Sequence, residues 1–432
     1  MAERLPRLLR ALLGIVLVAA TAVPSAAAAQ TKGEAVAALD LTAEQMVRAF
    51  DEARLPNLHA PDLEPPSITG DAELDAHIRE LGEARGYIRR PEPVDSLVAV
   101  DGRLLQPAAA AAWEQLQAAA AAEGHSISIT SGYRSASHQR TIWLSRMTGT
   151  SDAALDTLME LVAVPGYSKH HTGYAVDLRS GPATLHNFAN TAAYEWLSAD
   201  GFANARAHGW LPSYPDGVEN IGPNPEPWEF VWVGLDNILC VDFEPTEERP
   251  FCDTIGSSFA GDIVWLHGTE LTTGCDAIRF CTDDIVTRAE AATFLWRLFD
   301  EVEPDPDLEF DFLDVPDGTF FTTPVRWMVE AAITTGTSST TFSPTDTLTR
   351  GQFVTFLWRA ADRPDPLGPL VFDDVDPTGY AATAIAWAHS VGITNGTSPT
   401  EFSPDDTATR GQIAAFLHRF DDLGAGPGPG PA

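Results

Sequence analysis

Ser168-Lys169-His170-His171-Thr172-Gly173-Tyr174-Ala175-Val176-Asp177, followed by Leu178, is the stretch whose reading decides the fold. From Tyr174 onward the residues alternate as in a β-strand, with Tyr174, Val176 and Leu178 on one face and Ala175 and Asp177 on the other. A carboxylate therefore stands on a strand face beside a small neighbour. Gly173 supplies a turn just before the strand, so the His170 imidazole and the Asp177 carboxylate can converge on one point. A convergent His and Asp are two of the three protein ligands that a catalytic zinc needs. On spacing alone, a solvated loop His and a strand-end Asp fit as well.

Outward from this stretch the chain reads as alternating helices and short strands. A helix is expected over 42–53, and Pro56, Pro61, Pro65 and Pro66 then mark residues 30–71 as a linker or loosely packed arm. Helices are expected over 71–85, over the Ala-rich 107–122, through Gln139 and Leu144, and over 191–200, the last with Trp196 and Leu197 inward. Strands are expected at 97–100, 126–130 and 228–233, the last half-buried, while 147–165 reads as irregular. The pattern is that of an α+β unit, a small antiparallel sheet with flanking helices.

Three further blocks accompany the first: Ser131-Gly132-Tyr133-Arg134-Ser135 with Gln139; Gly209-Trp210 with Ser213-Tyr214-Pro215; and Glu226-Pro227-Trp228-Glu229-Phe230-Val231-Trp232-Val233-Gly234. With four blocks in this order, residues 72–240 resemble the VanY-type zinc D-alanyl-D-alanine carboxypeptidases of the M15 peptidase family, whose fold is hedgehog-like. The resemblance implies a zinc ion held by His170, Asp177 and the residue at 229. It makes Glu226 the base that takes a proton from the attacking water, and Arg134 the cation that polarises the scissile carbonyl and stabilises the oxyanion. Gln139 and Ser168 would hold substrate and Trp228 would wall the pocket. The substrate implied is a D-Ala-containing stem peptide of peptidoglycan.

The third ligand position carries Glu229 where the family has His. Two carboxylates and one imidazole can bind zinc, but the added negative charge weakens the ion's pull on water and suits a harder metal such as manganese. Three readings stay open: an active site with an altered ligand set, a metal-free wall-binding protein, or another His entering the site, of which His171 is nearest in sequence.

The formal net charge is −34 over 432 residues, with 44% hydrophobic and 20% charged residues. So acidic a chain is a poor partner for nucleic acid or anionic lipid. Residues 1–29 read as a secretory signal: Arg4, Arg7 and Arg10, an apolar run from Ala11 to Val23, then small residues before Gln30. No later stretch is apolar enough to span a bilayer, so the mature protein is expected to be secreted, soluble or bound at the bacterial cell wall. Four cysteines suit that compartment, and their spacing makes Cys240–Cys252 and Cys275–Cys281 the simplest pairing.

From about residue 250 the text repeats. Trp265, Trp327 and Trp387, Gly274, Gly336 and Gly396, and Arg288, Arg350 and Arg410 each recur at steps of about 60 residues, over 250–300, 308–361 and 370–422. Each unit reads as a helix around the Trp, a Gly-containing loop and a second helix opened by a Thr-Arg pair. Thr287, Thr349 and Thr409 suit the N-cap, with Glu290, Gln352 and Gln412 completing capping boxes. Phe372-Asp373-Asp374-Val375, Gly392-Ile393-Thr394-Asn395-Gly396, Phe402-Ser403-Pro404-Asp405 and Thr287-Arg288-Ala289-Glu290 make the repeats similar to surface-layer homology (SLH) domains, an all-α module. That resemblance implies anchoring to an anionic secondary cell-wall polymer, contacted by Arg288, Arg350 and Arg410. Cys275 and Cys281 stand where the other repeats have Thr337 and Ser343, or Thr397 and Ser403, so a disulfide is expected in place of loop hydrogen bonds. Three repeats can close a module within one chain, so a monomer suffices. Residues 423–432, alternating Gly and Pro, read as a disordered tail.

Overall fold

The computed structural model describes residues 31–59, 66–308 and 310–424. The expected signal (1–29), residues 60–65 of the expected arm and residues 425–432 of the expected tail lie outside them. Among the described residues no helix is long and apolar enough to cross a membrane. They form two compact units, divided between Phe243 and Glu244.

The first unit contains helices α1 (Lys32–Ala37), α2 (Ala43–Asp51), α3 (Ala72–Ala84), α4 (Pro107–Ala122), α5 (Ala136–Arg146), α6 (Asp152–Met159), α7 (Ala192–Arg206) and α8 (Leu235–Leu239). Its strands are β1 (Val98–Val100), β2 (Arg103–Leu105), β3 (Ser128–Ser131), β4 (Ala175–Arg179), β5 (Trp210–Pro212) and β6 (Glu229–Trp232). β1 and β2 form a hairpin; the other four make an antiparallel sheet in the order β3-β4-β6-β5.

One face of that sheet carries Val176, Leu178, Phe230 and Trp210, all fully buried. α4 covers it through Trp113, whose ring meets Trp210 edge-on at 6.1 Å. α4 extends over the predicted residues because Ala has no side-chain entropy to lose and Pro107 occupies the first turn, where its missing N–H costs nothing. The opposite face is also buried at Ala175, Val231 and Leu211, so β4 and β6 are covered on both sides rather than half-exposed.

Two expectations need correction. The helix expected over 42–53 is formed as α2, but the 30–71 arm is no loose linker: a further helix, α1, precedes it, both begin with a capping box, at Thr31 and Thr42, and they bury Val36, Met46 and Phe50. Asp51 pairs with Arg90 at 2.5 Å, and Tyr174 donates its hydroxyl to the Pro56 carbonyl. The irregular 147–165 segment contains α6, whose Leu155, Leu158 and Met159 join a core with Ile78 and Trp143.

The second unit contains α9 (Ala260–Gly268), α10 (Arg288–Leu298), α11 (Thr322–Glu330), α12 (Arg350–Ala360), α13 (Ala382–Ser390) and α14 (Arg410–Asp422), two helices per repeat. All three predicted capping boxes are formed. The repeats close on one another in a ring. Leu348 N–H donates to the Val286 carbonyl, Ala408 N–H to that of Leu348, and Val286 N–H to that of Ala408, at 2.9–3.0 Å. α10 packs on α11, α12 on α13, and α14 returns to α9. Among the described residues no cysteine is free, and Cys275 and Cys281 are disulfide-bonded. In the other repeats the equivalent contact is a hydroxyl pair, Thr337–Ser343 at 2.8 Å and Thr397–Ser403 at 2.9 Å.

Candidate metal centre

His170 lies in a short 3-10 turn, Lys169–Thr172, closed by Gly173 at φ +74°. A side chain at 173 would strain that left-handed backbone and would meet Leu97 Cδ2 at 3.2 Å and Gln106 Cγ at 3.3 Å. The turn points the imidazole back over the sheet. Strand register supplies the rest, since Asp177 on β4 faces Glu229 on β6 as a cross-strand pair. Ser131 is paired with Asp177, and Ser213, one residue past β5, donates its N–H to the Glu229 carbonyl. Ser131, Asp177, Glu229 and Ser213 thus form one row across the sheet.

His170 Nδ1 lies 2.7 Å from the Gly132 carbonyl and must donate to it, which leaves Nε2 as the free nitrogen. Nε2 is buried without a hydrogen-bond partner, 3.4 Å from Asp177 Oδ1 and 3.3 Å from Glu229 Oε2. One donor atom from each of His170, Asp177 and Glu229 falls within a common 4.8 Å. An orphaned imidazole nitrogen between two buried carboxylates calls for a cation, and the donor set fits a divalent ion. Among the described residues no other such cluster of His, Cys, Asp or Glu is formed.

Burial opposes charging of His170, but Asp177 and Glu229 outweigh it and push the imidazole up to about 10. Burial raises the Glu226 carboxyl well above the usual carboxylate range, and the neighbouring charges of Glu229 and Asp177 add to this. Burial acts on Glu229 in the same direction but is overcome by the nearby His170 and by the Ser213 hydroxyl, which hold its carboxyl down to about 2, so the pair is pushed apart.

Arg134 stands 3.5 Å from Asp177 Oδ2 and donates to Ser131 Oγ at 3.0 Å and Gln139 Oε1 at 2.8 Å. Gln139 was expected to hold substrate; it is 1% exposed, and its amide nitrogen donates to the Ala163 carbonyl. One end accepts from Arg134 while the other ties the side chain to the Ala163 carbonyl. Ser168 is buried at the start of the His170 turn, and Trp228 is half-buried just before β6, with the His186 ring edge-on at 5.0 Å. His171 points away: Nδ1 is 2.6 Å from the Arg134 carbonyl and Nε2 accepts the Gly166 N–H, so it is no third imidazole for the cluster.

The repeat arginines depart from an open polymer contact. Arg288, Arg350 and Arg410 are 4%, 4% and 8% exposed. Their Nε groups donate to the carbonyls of Phe342, Phe402 and Phe280 in the next repeat round the ring. Each guanidinium also lies over two Phe rings. Arg410 still reaches a groove shared with Gly274, Glu290, Arg297 and Phe320. Three partners at the sheet went unassigned in the sequence: the Gly132 carbonyl, Ser213 and Lys169. All three stood inside quoted blocks, but only the fold shows which atoms face the cluster.

Comparison with known proteins bears on both units. The VanY D-alanyl-D-alanine carboxypeptidase family profile matches residues 102–235, and the S-layer homology domain profile matches 311–354 and 371–414. The first repeat, with the cysteine pair, lies outside those stretches yet has the same two-helix architecture. An endoglucanase of Bacillus sp. (strain KSM-635) is 36% identical over 110 residues, 26% of this chain and 12% of that protein. The bifunctional D-Ala-D-Ala dipeptidase and D-Ala-D-Ala carboxypeptidase VanXYC of Enterococcus gallinarum is 32% identical over 138 residues, 30% of this chain and 68% of that protein. A crystal structure of the vancomycin resistance D,D-pentapeptidase VanY in complex with Zn(II) is similar at 28% identity and a TM-score of 0.29, covering 35% of this chain and 89% of that one. With its ordered motif blocks and its match to VanXYC, the chain belongs to the VanY-type D-alanyl-D-alanine carboxypeptidase family, here followed by S-layer homology repeats.

Proposed function

We propose that this chain is an exported, wall-anchored metallopeptidase that removes D-Ala from peptidoglycan stem peptides. The observation that carries the reading is the orphaned His170 Nε2 aimed between Asp177 and Glu229. His170, Asp177 and Glu229 would hold the ion, zinc or the harder manganese that two carboxylates favour. Such an ion supplies Lewis acidity to the attacking water and the scissile carbonyl.

The remaining chemistry belongs to the chain. Glu226, three residues before Glu229, takes the proton of the attacking water and passes it to the leaving amine. Burial, and after it the charges of Glu229 and Asp177, raise the Glu226 carboxyl; a cation held by those two carboxylates would relieve their share. Arg134, fixed by Gln139 and Ser131, meets the charge that develops on the carbonyl oxygen. Ser168 and Trp228 flank the peptide. The repeats anchor the enzyme to an anionic wall polymer, with Arg410 and Arg297 lining the groove that would receive it.

Release of D-Ala from a peptide ending in D-Ala-D-Ala tests the reading. The wild-type chain turns over, and Glu226→Gln loses ~100-fold or more in kcat while binding the same metal. Equal absence of turnover and of bound metal in both forms would leave a wall-binding protein that uses a peptidase fold for recognition.

A further inference from the structure

Beside the metal cluster, the mechanism above leaves the buried cation of Lys169 unused. Lys169 precedes His170 and is 2% exposed, with Nζ donating to the Ser213 carbonyl at 2.8 Å. Its ammonium lies 4.2 Å from the centroid of the Tyr214 ring and 5.3 Å from that of Phe50 on α2, so its position is tightly defined. Ser213 is itself fully buried, and its hydroxyl donates to Glu229 Oε1 at 2.6 Å. That bond occupies one carboxylate oxygen. It leaves Oε2, at 3.3 Å from His170 Nε2, as the oxygen turned to the cluster.

We infer that Ser213 is a positioning residue that makes Glu229 a one-oxygen metal ligand, with Lys169 holding Ser213 in place; this rests on the metal reading above. A carboxylate has two equivalent oxygens, and without a fixed partner on one of them it can chelate, rotate or leave. An imidazole at this position has no such freedom. A chain that uses Glu here therefore needs a hydroxyl donor on the distal oxygen, and the turn before β4 supplies a cation to fix that donor's backbone. Hydrogen bonds to ligating carboxylates commonly set affinity and geometry together.

The test uses the full-length protein, with zinc or manganese titrated against a chelator and cobalt(II) as a spectroscopic probe. Ser213→Ala weakens metal binding by ~10–100-fold. It also lowers the intensity of the cobalt visible bands, because the freed Oε1 joins the ion and raises its coordination number. Ser213→Thr keeps the hydroxyl and restores both readouts. Lys169→Met weakens binding in the same direction, and the double variant binds no more weakly than Ser213→Ala alone, since both act through one hydroxyl. Wild-type affinity and an unchanged cobalt spectrum in Ser213→Ala overturn the inference while leaving the metal centre intact. Additive losses in the double variant overturn the part assigned to Lys169. Absence of metal from the wild-type chain overturns both the inference and the reading on which it rests.

Discussion

Replacing Arg350 by Ala should destabilise the repeat module although the residue looks like a surface ligand in the sequence. Arg350 Nε donates to the Phe402 carbonyl at 2.9 Å, and its guanidinium lies 4.7 Å from the Phe402 ring and 5.5 Å from the Phe416 ring. A hydrogen bond from a charged donor is worth ~1.5–3 kcal/mol net, and its loss leaves a buried carbonyl unpaired. Each guanidinium–ring contact adds ~0.5–1 kcal/mol or more where water is excluded. The sum is roughly 3–5 kcal/mol, lost at the junction where the second repeat meets the third. For a unit of this size each kcal/mol moves the midpoint by ~2–4 °C, so one transition in a calorimetric scan of the full chain should fall by about 10 °C. Arg350→Lys should recover only part of this, since a single ammonium cannot stack flat on two rings while bonding the carbonyl. A change under ~0.5 kcal/mol, the range of an ordinary surface substitution, would refute the argument that these arginines brace the ring.

Two other outcomes follow from the same kind of accounting. Asp75 accepts from Ile68 N, Thr69 N, Thr69 Oγ1 and Ser67 Oγ; burial alone would raise its pKa, but these bonds hold it down from 3.8 to about 2. A depressed pKa stabilises the fold above the unfolded value, and the contribution is lost as pH falls from about 4 toward 2. The stability gap between wild type and Asp75→Asn, measured by urea unfolding, should therefore be open at pH 7 and narrow through that window; a gap independent of pH would contradict it. In the first repeat, the double change Cys275→Thr with Cys281→Ser installs the hydroxyl pair of the other repeats. It should lose less stability than Cys275→Ala with Cys281→Ala, which forfeits up to ~2 kcal/mol of loop restraint without replacement. Equal midpoints for the two variants would show that the hydroxyl pair contributes nothing.

What could be read in the sequence was whatever local chemistry decides. The Ala-rich α4, the three Thr capping boxes and the strand after Gly173 all stand where the pattern put them, because propensity, caps and period agree there. β5 carries three residues and ends in Pro212, too short for any alternation to show. The arm was half read: α2 stands where a helix was expected, whereas the short capped α1 was not, since its burial depends on the distant α7 and α8. From spacing alone the cluster was half legible, and Glu229 entered only through the family resemblance. His170 and Asp177 are close in sequence, whereas the pairing of Asp177 with Glu229 is a matter of strand register across 52 residues. The enclosure of the repeat arginines was not legible at all, since both Phe rings that cover each one come from the next repeat round the ring.

The central claim is that His170, Asp177 and Glu229 hold a metal ion. Its most direct test is the metal content of the purified full-length protein by inductively coupled plasma mass spectrometry, after exposure to zinc and manganese and dialysis, beside Asp177→Asn. The account predicts near-stoichiometric metal in the wild type and little in the variant. Equal, substoichiometric metal in both would contradict it.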